Sequence, residues 1–138
     1  MKSIEEVEKK IREAIAVVQA DGWKLARGIT AGVRRWLDCG DGWYELIHDL
    51  SEKLEVLIVQ LPEADREKYA AAQVKEKFGG LRFYMTCSTE EMDKLIAATE
   101  RRSFSVCELC GAPGETRSGG WLKTLCVAHD EARKRAAT

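Results

Sequence analysis

Apolar residues near the start of the chain follow the period of an amphipathic helix. They recur every three or four positions between Ile4 and Val18. Ser3 and Glu6 have the spacing of a capping box, in which each side chain accepts a hydrogen bond from the other residue's backbone N–H. The pattern therefore predicts a helix over 4–20 with one buried stripe.

A second and longer helical stripe begins at Trp43 and ends before Pro62. It predicts a helix over 42–60, which the proline terminates because its ring cannot continue the helix. The glycine-rich segment between the two predicted helices is harder to interpret. Within it, residues 33–37 fit either a short strand or the tail of a helix, and we favour the strand.

After Pro62 the apolar period changes from 3.6 to 2. Residues 72–78 and 81–85 alternate apolar and polar positions, as strands with one buried face do. Gly79 and Gly80 lie between them, and both can adopt the positive φ that a tight hairpin turn requires. The pattern predicts a β-hairpin, with Glu76 as the single charged position on its apolar face.

A third helix is predicted over 89–103, behind a capping box that begins at Ser88. Beyond it the composition changes, because residues 104–138 contain three of the five cysteines and one of the two histidines. We therefore predict an α+β protein: a domain of helices and a β-hairpin over 1–103, and a small metal-binding subdomain over 104–138.

The C-terminal segment carries the spacing Cys-x2-Cys-x15-Cys-x2-His, formed by Cys107, Cys110, Cys126 and His129. Each pair places two ligands about one turn apart, within reach of one ion. Thiolates and imidazole favour zinc over magnesium, calcium or manganese. Four protein ligands leave no open coordination position, so the pattern predicts one structural Zn²⁺ ion and no catalytic metal.

The residues around these ligands predict a treble-clef zinc finger. Gly111 follows the first pair, where a knuckle needs a permissive backbone. A predicted hairpin strand, 121–125, precedes the second pair, and the second pair opens a predicted helix from Val127 to about Arg135. A unit of about 30 residues buries too little apolar surface to fold alone, so metal binding must supply the deficit.

Composition and charge exclude several classes of protein. Hydrophobic residues make up 45% of the 138 positions and charged residues 33%, which is typical of a globular protein and too apolar for a disordered one. No apolar run is long enough to span a membrane and no secretory signal is present, so we expect a cytoplasmic protein. The net charge of −1 argues against binding driven mainly by phosphates.

Several basic residues nevertheless surround the predicted finger, and Trp121 lies among them. In one interpretation they form a binding surface on which Trp121 stacks on a base or inserts into a partner. In the other, which we favour, Trp121 packs in the finger core and the basic tail is solvated at a helix C-terminus. The candidate binding residues are Trp121, Arg117, Lys123, Arg133, Lys134 and Arg135.

No catalytic constellation is predicted. Cys39 could serve as a nucleophile with His48 as its base, since a helix N-terminus beside a thiol would lower its pKa. No third group is identifiable, and free cysteines are usually buried fillers. We therefore interpret Cys39 and Cys87 as core or edge residues, His48 as part of a solvated helix face, and the protein as a non-enzyme.

Three segments resemble an uncharacterised family of small bacterial and bacteriophage proteins. They are the sequence GDGW at 40–43, the sequence QVKEKFGGLRFY at 73–84, and the sequence CELCGAPG at 107–114 followed by Gly120-Trp121 and Leu125-Cys126. The resemblance implies a bacterial or mobile-element origin and supplies no mechanism. The finger is also similar to that of TraR/DksA-type transcription regulators, although His129 stands where their last cysteine would be.

These features together lead to one expected function and one alternative. The first is a zinc-stabilised, non-enzymatic binding protein that acts on a protein or ribonucleoprotein complex, such as host defence or transcription machinery modulated by a phage factor. The alternative is a nucleic-acid-binding transcription modulator of the TraR/DksA type. Strong salt dependence of nucleic-acid binding would distinguish the second from the first.

Overall fold

The computed structural model describes residues 3–7 and 37–137 of the chain. Residues 4–7 are helical, and the predicted capping box is present: the Ser3 N–H donates to Glu6 Oε2 over 3.1 Å and the Glu6 N–H donates to Ser3 Oγ over 3.2 Å. The remainder of the helix predicted over 4–20 lies outside the described residues. Most of the segment 33–37 lies outside them too, although a two-residue strand, β1 (Leu37–Asp38), begins at its end.

The predicted central helix is confirmed as α1 (Tyr44–Val59), entered through a 3-10 turn at Asp41–Trp43. Its apolar stripe forms most of the core, because side chains three and four positions apart share one face. The core residues contributed by this stretch are Trp43, Leu46, Ile47, Leu50, Leu54, Val56, Leu57 and Ile58.

The predicted β-hairpin is confirmed as β2 (Ala71–Lys77) and β3 (Gly80–Met85), which pair antiparallel, while β1 adds to β2 in parallel. The turn, however, is one residue earlier than expected. Lys77 pairs with Gly80, so the two turn residues are Phe78 at φ 53° and Gly79 at φ 84°. Gly80 instead lies in the strand, where a Cβ would approach the Phe104 ring to 2.3 Å.

The third predicted helix is confirmed as α2 (Glu90–Ser103), which packs against both α1 and β3. Its N-cap is Thr89, whose hydroxyl accepts from the Met92 N–H over 3.2 Å, so the cap predicted at Ser88 was wrong by one residue. Two side chains of α2, Glu100 and Ser103, accept hydrogen bonds from the outer backbone amides of β3. The edge strand of the sheet is thereby covered.

The C-terminal segment consists of a knuckle at 107–110, a small hairpin and a helix. The hairpin strands are β4 (Glu115–Arg117) and β5 (Lys123–Leu125), and α3 (Val127–Ala136) follows directly. This order completes the predicted α+β architecture with its treble-clef unit. The boundary at 104 stays a prediction. None of the helices within residues 3–7 and 37–137 has both the length and the apolarity that crossing a bilayer demands.

Candidate metal centre

Four side chains from the knuckle and from the start of α3 converge on one point. Cys107 and Cys110 come from the knuckle, Cys126 is the N-cap of α3, and His129 lies in its first turn. The ligand atoms of the four residues all lie within 4.8 Å of one another. The residues that the Cys-x2-Cys-x15-Cys-x2-His spacing singled out are thus brought together and can hold a metal ion.

The distances between the donor atoms fit a tetrahedral site. Zn–S bonds of about 2.3 Å and a Zn–N bond of about 2.0–2.1 Å would place two sulfurs about 3.8 Å apart, and a sulfur and a nitrogen about 3.5 Å apart. The Cys110 and Cys126 sulfurs are 3.8 Å apart, and His129 Nδ1 lies 3.6 Å from Cys107 Sγ and 3.3 Å from Cys126 Sγ. Nδ1 is therefore the imidazole donor.

The backbone around Cys107 and Cys126 favours the thiolate form of these two residues, which is the form that binds metal. Burial alone would raise the pKa of Cys107, but N–H groups of Cys126, Cys110 and Leu109 outweigh it and lower the pKa to about 6. The backbone N–H of His129 likewise lowers the pKa of the Cys126 thiol, to whose sulfur it lies at 3.5 Å. A helix N-terminus that donates to a sulfur acts in the same direction.

The knuckle rests on the N-terminal end of α1, through the segment that reads GDGW. The Gly42 N–H donates to Glu108 O over 2.7 Å, and the Trp43 indole N–H donates to Val106 O over 2.8 Å. A Cβ on Gly42 would lie 2.1 Å from Cys107 O, so the two backbones are in direct contact. The metal ligands are therefore fixed to the helical core through backbone atoms.

Lys123, predicted as a binding residue, instead joins the finger to the hairpin. Its ammonium lies 3.2 Å from Glu76 Oε1 and 3.3 Å from Glu108 Oε1. Glu108 is only 4% exposed and also accepts from the Gly40 N–H over 2.9 Å. Glu76, the exception to the apolar alternation of β2, faces the finger for this reason.

Two predicted binding arginines are engaged within the finger. Arg117 lies 3.9 Å from the buried carboxylate of Asp130 and donates from Nε to Leu125 O over 3.3 Å. Arg133 donates from Nη2 to three carbonyls of the loop between β4 and β5, those of Ser118, Gly119 and Trp121.

The last two basic candidates, Lys134 and Arg135, lie exposed on α3. Lys134 pairs with Asp130 Oδ2 at 3.2 Å, so Asp130 joins the helix to both Arg117 and Lys134. The contacts of Arg117, Arg133 and Lys134 consequently lie within the finger, and these three cations do not form a bare positive patch.

Trp121 is 84% exposed, so the expectation that it packs in the finger core is wrong. The reason lies in β5, which supplies that core with Thr124 and Leu125 instead. Trp121 follows Gly119 and Gly120, both at positive φ, on the loop whose carbonyls Arg133 holds. Leu122 beside it is also exposed. The finger therefore presents an apolar tip on a fixed loop.

The surroundings of Cys39 do not activate its thiol. Burial, followed by the charge of Glu108, raises the pKa of Cys39 to about 12, which is opposite to the activation that a nucleophile needs. His48 lies 3.8 Å from Glu52 on the polar side of α1, as predicted. Cys87 is exposed rather than buried in the core.

The metal cluster borders a solvent-open cleft of about 1080 Å³ between the start of α1 and the knuckle. Cys110 lines this cleft together with Tyr44, His48 and Arg102. It is the exposed member of the four candidate ligands, whereas Cys107 is buried.

Comparisons with known proteins identify no relative. No family model matches the chain, and no curated protein or solved structure does so either. The description of the site therefore rests on the geometry of its own residues.

Sequence reasoning missed the supporting roles of Gly42, Glu76 and Glu108. The charged position in the alternation of β2 was the signal for Glu76.

Proposed function

We propose that Cys107, Cys110, Cys126 and His129 hold one structural Zn²⁺ ion. The donor set supports zinc, because three thiolates and one imidazole suit it and not the oxygen-seeking cations. Since four protein ligands complete a tetrahedron, the ion would supply folding energy and no reactive position. The chain would then be a non-enzymatic binding protein built on a zinc-stabilised finger.

The observation that carries the binding role is the exposure of Trp121 on a loop held by Arg133. Tryptophan is enriched among the residues that dominate interface energies, and a preordered loop loses little entropy on binding. Leu122 extends the same apolar tip. We propose that this tip inserts into a protein or ribonucleoprotein complex. On the expectation of a bacterial or mobile-element origin, we propose bacterial transcription or defence machinery as the first target to examine.

The proposal can be tested by affinity capture from bacterial lysate with the metal-loaded protein, with and without nuclease treatment. Trp121→Ala should abolish retention of a specific partner, because an interface anchor of this kind contributes on the order of 2 kcal/mol or more. Val127→Ala, at another exposed apolar position on the finger, is the matched control and should retain the partner. Equal capture by wild type and Trp121→Ala would refute the role of the tip.

A further inference from the structure

The β-hairpin has a second face that the core does not use. Val74, Leu81 and Phe83 point inward and are buried, so the alternate residues of β2 and β3 point away from the helices. We name these residues the outer sheet face: Gln73, Lys75, Lys77, Arg82 and Tyr84. Their register places Lys75 opposite Arg82 and Gln73 opposite Tyr84.

The outer sheet face is rich in cations, namely Lys75, Lys77 and Arg82. Within residues 3–7 and 37–137, no ion pair forms to Lys75, Lys77 or Arg82. Asp38 of β1, the register partner of Lys75, adds one carboxylate at the edge. The face stays net positive, in contrast to the finger, whose cations are paired. In a chain of overall charge −1, positive charge is thus concentrated on one surface of the described sheet.

Two aromatic rings lie among these cations. Tyr84 is 42% exposed on β3, and Phe78 is 66% exposed in the hairpin turn. The Lys75 ammonium lies 5.9 Å from the centre of the Tyr84 ring, and the Lys77 ammonium lies 5.6 Å from that of Phe78. Each ring is therefore paired with a cation and has surface left for a ligand.

We propose that the outer sheet face binds single-stranded nucleic acid. Proteins that bind single strands combine stacking aromatics with cations that follow the phosphates, and a sheet displays both on one plane. Bases would stack on Tyr84 and Phe78, and Lys75, Lys77 and Arg82 would contact phosphates. Along β3, about 13 Å separates Gly80, beside the turn that carries Phe78, from Tyr84. This length has room for a short stretch of nucleotides between the two rings.

This site is independent of the proposed function of the finger. It uses neither the metal ligands nor Trp121, and its cations are not those of the C-terminal tail. The flat arrangement favours a single strand over a duplex, since bases inside a duplex have no free faces for the two rings. Single-stranded DNA and single-stranded RNA both offer bases for stacking and phosphates for the cations, so the test uses oligonucleotides of both types.

The test is fluorescence anisotropy with labelled oligodeoxythymidine and oligouridine of about twelve nucleotides, within the usual site size of stacking domains. Tyr84→Ala should weaken binding on the order of 5- to 150-fold, and Tyr84→Phe should restore it, because a phenyl ring still stacks. A variant with Lys75, Lys77 and Arg82 all changed to Gln should lower the slope of log affinity against log salt by about 2. Circular dichroism checks that each variant is folded.

Two control variants separate this site from the finger. Lys134→Gln removes an exposed cation from α3, and Val127→Ala shortens an exposed apolar side chain at the start of the same helix; both should leave oligonucleotide affinity unchanged. Absence of binding by wild type at low salt would overturn the proposal. It would also be overturned if Lys134→Gln or Val127→Ala, and not Tyr84→Ala, weakened binding, or if duplex of equal length bound more tightly than the single strand.

Discussion

The contact between Gly42 and the metal-binding knuckle makes a specific prediction about Gly42→Ala. The new methyl group would lie 2.1 Å from Cys107 O and 2.6 Å from Glu108 O, so the knuckle must move by more than about 1 Å to reach ordinary contact. That movement would lengthen the hydrogen bonds from Gly42 N and the Trp43 indole, at 2.7 and 2.8 Å, beyond useful range. Two lost hydrogen bonds and overpacking together should cost about 2–4 kcal/mol.

The assay is urea denaturation of the metal-loaded protein, followed by circular dichroism. Asp41→Ala is the matched control, because Asp41 is exposed in the same 3-10 turn and its removal should change stability by less than about 0.5 kcal/mol. Gly42→Ala should also bind metal less tightly, since the shifted backbone carries Cys107. A Gly42→Ala variant as stable as wild type would refute the direct backbone contact between core and knuckle.

Three further predictions concern the network, a thiol and the core. Lys123→Met should lower the free energy of unfolding by about 1–2 kcal/mol in the same assay, because it leaves the buried Glu108 without its cation. This value is smaller than for a fully buried pair, because the lysine side chain is 36% exposed and solvent screens the interaction. Burial would lower the pKa of Lys123, but the carboxylates of Glu108 and Glu76 together outweigh burial and raise the pKa. The stabilisation by Lys123 is therefore complete below the ordinary pKa of 10.5 and is lost as the pH rises through the raised pKa; an unchanged stability difference between wild type and variant at higher pH would contradict this. Since the pKa of Cys39 is about 12, iodoacetamide at pH 8 should modify Cys39 at least about tenfold more slowly than the exposed Cys87, by peptide mass analysis; equal rates would show that Cys39 is accessible and ionised. Leu54→Ala, at a fully buried position, should lower the free energy of unfolding by about 2–5 kcal/mol, and a loss under 1 kcal/mol would place Leu54 outside the core.

Periodicity was sufficient to predict α1, α2 and the hairpin. Long apolar stripes at helical spacing are compatible only with a helix at α1 and α2. The alternation of apolar and polar residues over 72–85 is likewise typical of strands, as found for β2 and β3. These signals are local, because the pattern itself determines which face is buried. The metal ligands could be predicted for a similar reason, since their spacing encodes the knuckle and the first turn of α3.

Details that depend on distant residues could not be predicted. Both Gly79 and Gly80 permit a hairpin turn, but only the contact of Gly80 with the Phe104 ring explains why the turn falls on Phe78 and Gly79. The choice of Thr89 over Ser88 as N-cap is a similar one-residue ambiguity, because either side chain can accept the first amide.

The ion-pair partners of charged residues and the burial of aromatic residues could not be predicted from the sequence either. Nothing local indicates that Glu76, Lys123 and Glu108 meet, since the two carboxylates lie 47 and 15 positions from the lysine. The solvent exposure of Trp121 was also misjudged, because an aromatic beside a strand of a small finger usually packs inward. The structure thus shows that Arg117, Lys123, Arg133 and Lys134 make contacts within the protein, whereas the Trp121 side chain is exposed to solvent.

The proposed zinc site has three sulfurs and one imidazole nitrogen around one ion. The most direct measurement is elemental analysis of the native protein combined with X-ray absorption at the zinc edge. We predict one zinc per chain with three Zn–S distances of about 2.3 Å and one Zn–N distance of about 2.0–2.1 Å, and loss of one sulfur in Cys110→Ser. A folded native protein without bound metal, or an ion surrounded by oxygen, would contradict the account.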